Sequence, residues 1–281
     1  MSYKSIFTVA THPAQVPLSI SAAAKICAQN DAHLDVLALG VDRTQVGYAY
    51  VGSGAVVMQV ALERAEDEAR ALETAVKAAL AAEGPSLRAG VEAAVTQIGA
   101  LTELVAQRAR FADLVVLPRP YGKDQGAEAE AAVEAALFEG QAPVLVVPEA
   151  GLSTATPKRI VIAWNQGREA LAAVRAALPL LKQADLVTIT VIDPGVHGPE
   201  RSDPGGMLCQ MLVRHGVHAE VSVLARTLPR VSDVLLRHVN DISADLLVMG
   251  AYGHSRFREA ILGGATRNML EHATVPVLMA H

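Results

Sequence analysis

The sequence predicts a doubly wound α/β protein built from two copies of one domain. Three observations predict it. Short Val/Ile/Leu-rich runs alternate with longer Ala/Leu-rich stretches of helical period along the 281 residues, the pattern of parallel strands joined by crossover helices. Apolar residues make up 51% of the chain but aromatics only 4%, which suits aliphatic strands buried under alanine-rich helices. The chain also repeats itself. ADLVVLP at 112–118 returns as ADLLVMG at 244–250, and QAPVLVV at 141–147 returns as TVPVLMA at 274–280.

In the first half, strands are expected near 5–10, 34–39, 90–96, 113–117 and 144–147. KSIFTVA at 4–10 has its counterpart in KRIVIAW at 158–164, at a longer offset than the later pairs. The first half therefore carries an insertion, placed at 41–85, where VGYAYVGSGAVV leads into a long Ala/Glu/Arg helix. A further helix is expected over Glu128–Phe138. PEAGLSTATP at 148–157 reads as a linker, Pro, Gly, Ser and Thr without periodicity, and divides the chain into domains 1–150 and 151–281. In the second half Arg159–Trp164 is a strand, and Leu171, Val174, Leu178 and Leu181 mark a helix. Leu186–Ile192 is a strand, Met207–His215 a helix, His218–Leu224 a strand and Val231–Val239 a helix. Ala244–Met249 is a nearly continuous apolar strand. A helix from Thr266 to about Ala273 and the strand Pro276–Ala280 close the half.

Net charge is −5 and no basic stripe occurs, so nucleic acid is not an expected partner. The opening MSYKSIFTVA lacks the pattern of a secretory signal, and no apolar run reaches the roughly 18 residues of a membrane span. Cys27 and Cys209 stand far apart in apolar, helix-like stretches and read as buried free thiols. A cytoplasmic location is expected.

The chemistry concentrates in GAYGHSRFREAILGGATRNML at 250–270. Open parallel sheets bind ligands beyond the carboxyl ends of their strands. Gly250 ends a strand, where a missing Cβ lets the chain turn, and Gly253 would let backbone amides approach a ligand. Gly263 and Gly264 precede a helix whose start presents amide donors and partial positive charge to a phosphate. His254, Ser255 and Thr266 add donors, and Arg256, Arg258 and Arg267 add charge. Glycines also occur at strand ends and helix starts without any ligand, and the spacing alone leaves both readings open. It is neither GxGxxG nor GxxxxGK[ST].

A strand followed by Gly250-x2-Gly253-x9-Gly263, a helix and then Val-Pro-Val resembles the universal stress protein family, strongly over 158–281 and weakly over 1–150. The resemblance implies Rossmann-like, adenine nucleotide alpha hydrolase-like domains, each a five-stranded parallel sheet of order 3-2-1-4-5. It implies ATP or AMP, with or without Mg²⁺, held by Gly250, Gly253, His254, Gly263, Gly264, Ala265 and Thr266 on the phosphate side. Ala163, Trp164, Asn165 and Ile192, with Asp193 after it, would meet base and ribose. Two departures stand out. Gly264 occupies the place of a Ser or Thr, and Asn165 that of an Asp. Trp164 fits base stacking and core packing equally.

The first half departs further. Pro118 stands where Gly250 would, and a helix that begins with acidic residues follows, so no phosphate site is expected there. Glu128, Glu130 and Glu134 read as a solvated acidic face, and His12 as a surface loop residue. His215-x-x-His218 lacks the companions of a metal site, and neither catalytic nor metal-binding residues are expected. The resemblance implies an intramolecular pseudo-dimer through Pro143–Val147 and Pro276–Ala280, with a homodimer also open. The implied role is regulation under stress with an unidentified protein partner; the alternatives are a slow ATP hydrolase or a structural module without nucleotide.

Overall fold

The computed structural model describes residues 2–44, 54–122, 125–194, 202–251 and 264–281. The chain divides into two compact units, Tyr3–Ala142 and Pro143–His281.

The N-terminal unit contains β1 (Ser5–Ala10), α1 (Val16–Asn30), β2 (His33–Asp42), α2 (Gly54–Glu83), β3 (Arg88–Gln97), α3 (Leu101–Ala109), β4 (Leu114–Pro118) and α4 (Ala127–Phe138). Its strands pair in parallel in the order β3-β2-β1-β4. The central strands are buried on both faces: Ile6, Leu34, Leu114, Val115 and Val116 are wholly inaccessible. Such strands read as continuous apolar runs rather than alternating ones. Helix α2 crosses β2 closely, because a Cβ at Gly40 would collide with the Ala65 carbonyl.

The C-terminal unit contains β5 (Val144–Val147), β6 (Arg159–Ala163), α5 (Arg168–Leu181), β7 (Leu186–Ile192), α6 (Gly206–Arg214), β8 (Ala219–Leu224), α7 (Val231–Asp241), β9 (Leu246–Gly250), α8 (Ala265–His272) and β10 (Val277–Ala280). The second repeat has the expected order 3-2-1-4-5, as β8-β7-β6-β9-β10, all parallel. The strands divide four and six between the units, not five and five. After α4 the chain turns through a helix cap in which Gly140 donates to Ala135 and Ala142 to Ala136. It then enters β5, which pairs antiparallel with β10, Leu145 opposite Leu278. All four residues of β5 are buried.

The repeated ADL motif has a structural cause. The Asp113 carboxylate accepts the amides of Lys4 and Ser5 at 2.6 and 3.0 Å. Asp245 accepts those of Lys158 and Arg159 at 2.8 and 2.9 Å. In each repeat the aspartate before the fourth strand thus satisfies the otherwise unpaired amides that open the first. Among the described residues no helix is long and apolar enough to cross a membrane.

Candidate functional site

In the second repeat the chain runs from β6 to β7 and β8 on one side, then returns to β9 on the other. The strand order therefore reverses beside β6, where such sheets open a crevice at their carboxyl ends. Parallel register sets Ala163, at the end of β6, opposite Met249 of β9 and Thr190 of β7. Ala163, Gly250 and Ile192 therefore share the carboxyl rim. Helix α8 crosses back from β9 to β10, so its amino end begins on that same side. Gly253, His254 and Gly263, like Ser255, Arg256 and Arg258, lie outside the described residues.

Gly250 has a packing role. The amino-terminal turn of α5 lies directly against it, and a Cβ would meet the Ala170 nitrogen at 2.6 Å. Beyond it, Ala251 donates its amide to Ala280 at 2.9 Å, continuing the β9–β10 pairing.

The β6 rim is shaped by a turn. Asn165 is exposed, and its Oδ1 accepts the Gly167 amide at 2.9 Å, while Gln166 adopts φ +63°. The side-chain acceptor of Asn165 therefore organises the start of α5, leaving its NH₂ group as the polar face it offers outward. Trp164 is 9% exposed and donates its backbone amide to Thr190 at 2.9 Å. The indole is packed, which favours the core role over an open stacking platform. At the β7 rim Ile192 is half-buried, and the Asp193 amide is already bonded to the Leu224 carbonyl at 2.9 Å.

The start of α8 differs sharply from its counterpart α4. Both helices begin at a glycine N-cap with no side-chain cap, Gly126 and Gly264, but the first turn of α8, unlike that of α4, contains no acidic residue. Gly264 and Ala265 are half-buried, whereas Thr266 is 2% exposed, so its hydroxyl belongs to the packed side of the helix. Arg267 pairs with Glu271 at 2.9 Å along the outer face. A residue missed in the sequence approaches this helix start. Arg230, the N-cap of α7, donates to Asn268 Oδ1 at 3.2 Å, and Asn268 Nδ2 donates to the Gly264 carbonyl at 3.2 Å. Among the described residues Arg230 has no ion pair, and a guanidinium beside a positive helix end is unfavourable unless an anion joins them. The only sequence signal was a basic residue just before the helix at Val231.

In α4 the corresponding place is filled from within. Glu128, in the first turn, is 8% exposed, and its carboxylate accepts Arg43 Nε at 2.5 Å. Arg43 also binds Glu68. The solvated acidic face expected at Glu128, Glu130 and Glu134 is corrected here. Glu128 is a buried ion-pair partner, Glu130 accepts the Tyr121 hydroxyl at 2.5 Å, and Glu130 and Glu134 are half-buried. Burial of a carboxylate requires such partners.

His12 accepts the Ala14 amide at 3.3 Å and caps a short 3₁₀ turn. His218 bonds the Asp185 carbonyl. Among the described residues no group of His, Cys, Asp and Glu side chains could hold a metal ion. Cys27 and Cys209 are free, the first buried and the second half-buried.

Comparisons with known proteins agree with this architecture. Residues 156–281 match the universal stress protein family. A universal stress protein of Synechocystis is 35% identical over 69 residues, covering 25% of this chain and 23% of that protein. The match thus spans about a quarter of the curated relative. The crystal structure of a universal stress protein from Archaeoglobus fulgidus superposes with a TM-score of 0.68 at 14% identity, covering 98% of this chain and 95% of that one. A functionally unknown protein from Pseudomonas aeruginosa PAO1 superposes at 0.55 with 13% identity, covering 98% and 92%.

Proposed function

We propose that residues 156–281, which match the universal stress protein family, form a domain that binds an adenine nucleotide, ATP or AMP, as the regulatory module of a cytoplasmic stress response. The observation that carries this reading is the contrast between the two helix starts. In α4 an internal carboxylate paired with Arg43 takes the place an anion would use. In α8 that place has no acidic residue, and Arg230 stands beside it. A helix start of this kind, next to a glycine-rich segment at a sheet's switch point, suits a phosphate. Gly250, Gly253, His254, Gly263, Gly264, Ala265 and Thr266 would surround the phosphates, Thr266 through its backbone. Ala163, Trp164, Asn165 and Ile192 would bound the base and ribose.

The reading is one of binding, with conformation or partner choice as its output. It is tested by melting the purified chain with ATP, AMP and adenosine. A nucleotide at 100 times its Kd adds about 2.7 kcal/mol, which raises the melting temperature by roughly 5–10 °C in a chain of this length. An unchanged melting temperature at millimolar ATP and AMP refutes it and leaves a structural module. Phosphate release that a Gly253→Val variant abolishes would instead identify a hydrolase.

A further inference from the structure

Helices α3 and α7 are the third helices of their repeats, and they end alike. Arg110 donates its amide to the Ala106 carbonyl and Phe111 to Arg108, while in the second repeat Ile242 donates to His238 and Ser243 to Asn240. Val105, Ala106 and Ala109 of α3 therefore correspond to Arg237, His238 and Asp241 of α7. The three residues of α3 are at most 2% exposed and belong to the core. Their counterparts in α7 are all ionisable, and they line a cavity of about 180 Å³ with Leu224, Thr227 and Val234.

The two charged side chains of this cavity do not pair. Arg237 and Asp241 are four residues apart, the spacing at which opposite charges on a helix ordinarily meet. Arg237 instead donates from Nη2 to Thr227 Oγ1 at 2.5 Å, and among the described residues neither Arg237 nor Asp241 has an ion pair. Because Thr227 accepts that bond, its own hydroxyl hydrogen remains to be donated. His238 Nε2 is buried without a hydrogen-bond partner, a costly state for a polar atom. Val234 is buried and Leu224 half-buried, which makes one wall apolar.

We infer that this cavity binds a small zwitterion, an α-amino acid with a short aliphatic side chain. Arg237 and Thr227 take its carboxylate, Asp241 its ammonium, and Leu224 and Val234 its side chain, with His238 Nε2 as a further polar contact. Charge selects this class. A phosphate or dicarboxylate would set negative charge against Asp241. A simple amine would set positive charge against Arg237, and an uncharged molecule would answer neither group. Size agrees with charge. At about 30 Å³ for each water in the liquid, the cavity has the room of about six waters, which suits a molecule between alanine and valine. None of these residues belongs to the nucleotide site proposed above, so the two sites can be tested separately.

The test is calorimetric titration of the full chain with L-valine, isovalerate, which lacks the ammonium, and isobutylamine, which lacks the carboxylate. L-Valine is expected to bind with a Kd of about 1 mM or below, and each analogue at least ~10-fold more weakly, the loss of one charged contact. Arg237→Gln and Asp241→Asn should each weaken valine by about tenfold. Asp241→Asn should leave isovalerate as it was or tighten it, which a merely structural effect of the substitution would not do. Both side chains are exposed, so circular dichroism should match the wild type. In amide spectra, valine should perturb the signals of residues 224–241. A wild type that ignores both valine and alanine at about 10 mM overturns the inference. So does isovalerate or isobutylamine binding as tightly as valine, and so does valine affinity that survives both variants.

Discussion

A single methyl group added at Gly250 tests how the C-terminal cleft is built. Gly250 closes β9 opposite Ala280 of β10. A Cβ there would lie 2.6 Å from the Ala170 nitrogen, 2.8 Å from the Glu169 carbonyl carbon and 3.0 Å from the Glu169 Cβ. All three atoms belong to the first turn of α5, and no side-chain rotation removes them. Ordinary heavy-atom contacts are about 3.5–4.0 Å, so Gly250→Ala must push the helix start and the strand apart by up to about 1 Å. Overpacking of this kind costs typically 1–3 kcal/mol. We expect about 2–3 kcal/mol, the upper part of that range, because α5 packs along both β9 and β10 and cannot yield locally. At 2–4 °C per kcal/mol, the melting temperature should fall by roughly 5–10 °C. Urea titration followed by circular dichroism supplies the midpoint, and an unchanged slope would show that the native and unfolded surfaces are as before. Gly99→Ala is the control, because a Cβ there meets nothing within 4 Å; its effect should stay within about 0.5 kcal/mol. A Gly250→Ala protein melting within about 1 °C of the wild type would refute the argument that close helix–strand packing demands this glycine.

Three further outcomes follow from the same geometry. Arg230→Ala should weaken ATP about tenfold, the loss of one charge-assisted contact, while leaving adenosine unchanged by calorimetry; equal losses for both would remove Arg230 from the phosphate side. Thr8 is 1% exposed and donates to the Val116 carbonyl at 2.7 Å, so Thr8→Val should cost about 1 kcal/mol in urea unfolding, and no loss would show that this bond contributes nothing net. Burial on α7 holds His238 below the usual imidazole range, with Asp241 and Glu220 opposing. The unfolded chain then takes up a proton that the folded one resists, so stability is full above about pH 6.5 and declines as pH falls below it. The urea midpoint should drop between about pH 7.5 and 5.5, and His238→Leu should flatten that slope; an unaltered slope would mean that other groups set it.

Much of the fold was legible because it depends on local pattern. Apolar runs located the strands, and helical spacing the helices of the second half, to within a few residues, since Cβ direction repeats with a fixed period in each. The repeated ADL motif marked matching places in two halves, although its reason, Asp113 and Asp245 each bonding the first strand's amides, appears only when the strands lie side by side. The sequence by itself determined the alternation of elements, the internal repeat and the glycine-rich return in the second half. Tertiary structure alone decided that β5 pairs with β10, that Trp164 is packed and that Glu128 is a buried partner of Arg43. It alone showed that Gly250 makes room for α5 and that Arg230 reaches Asn268. The physical reason is distance along the chain. Period and propensity act over a few residues, whereas burial, pairing and close approach are set by groups that meet only after the sheet has formed.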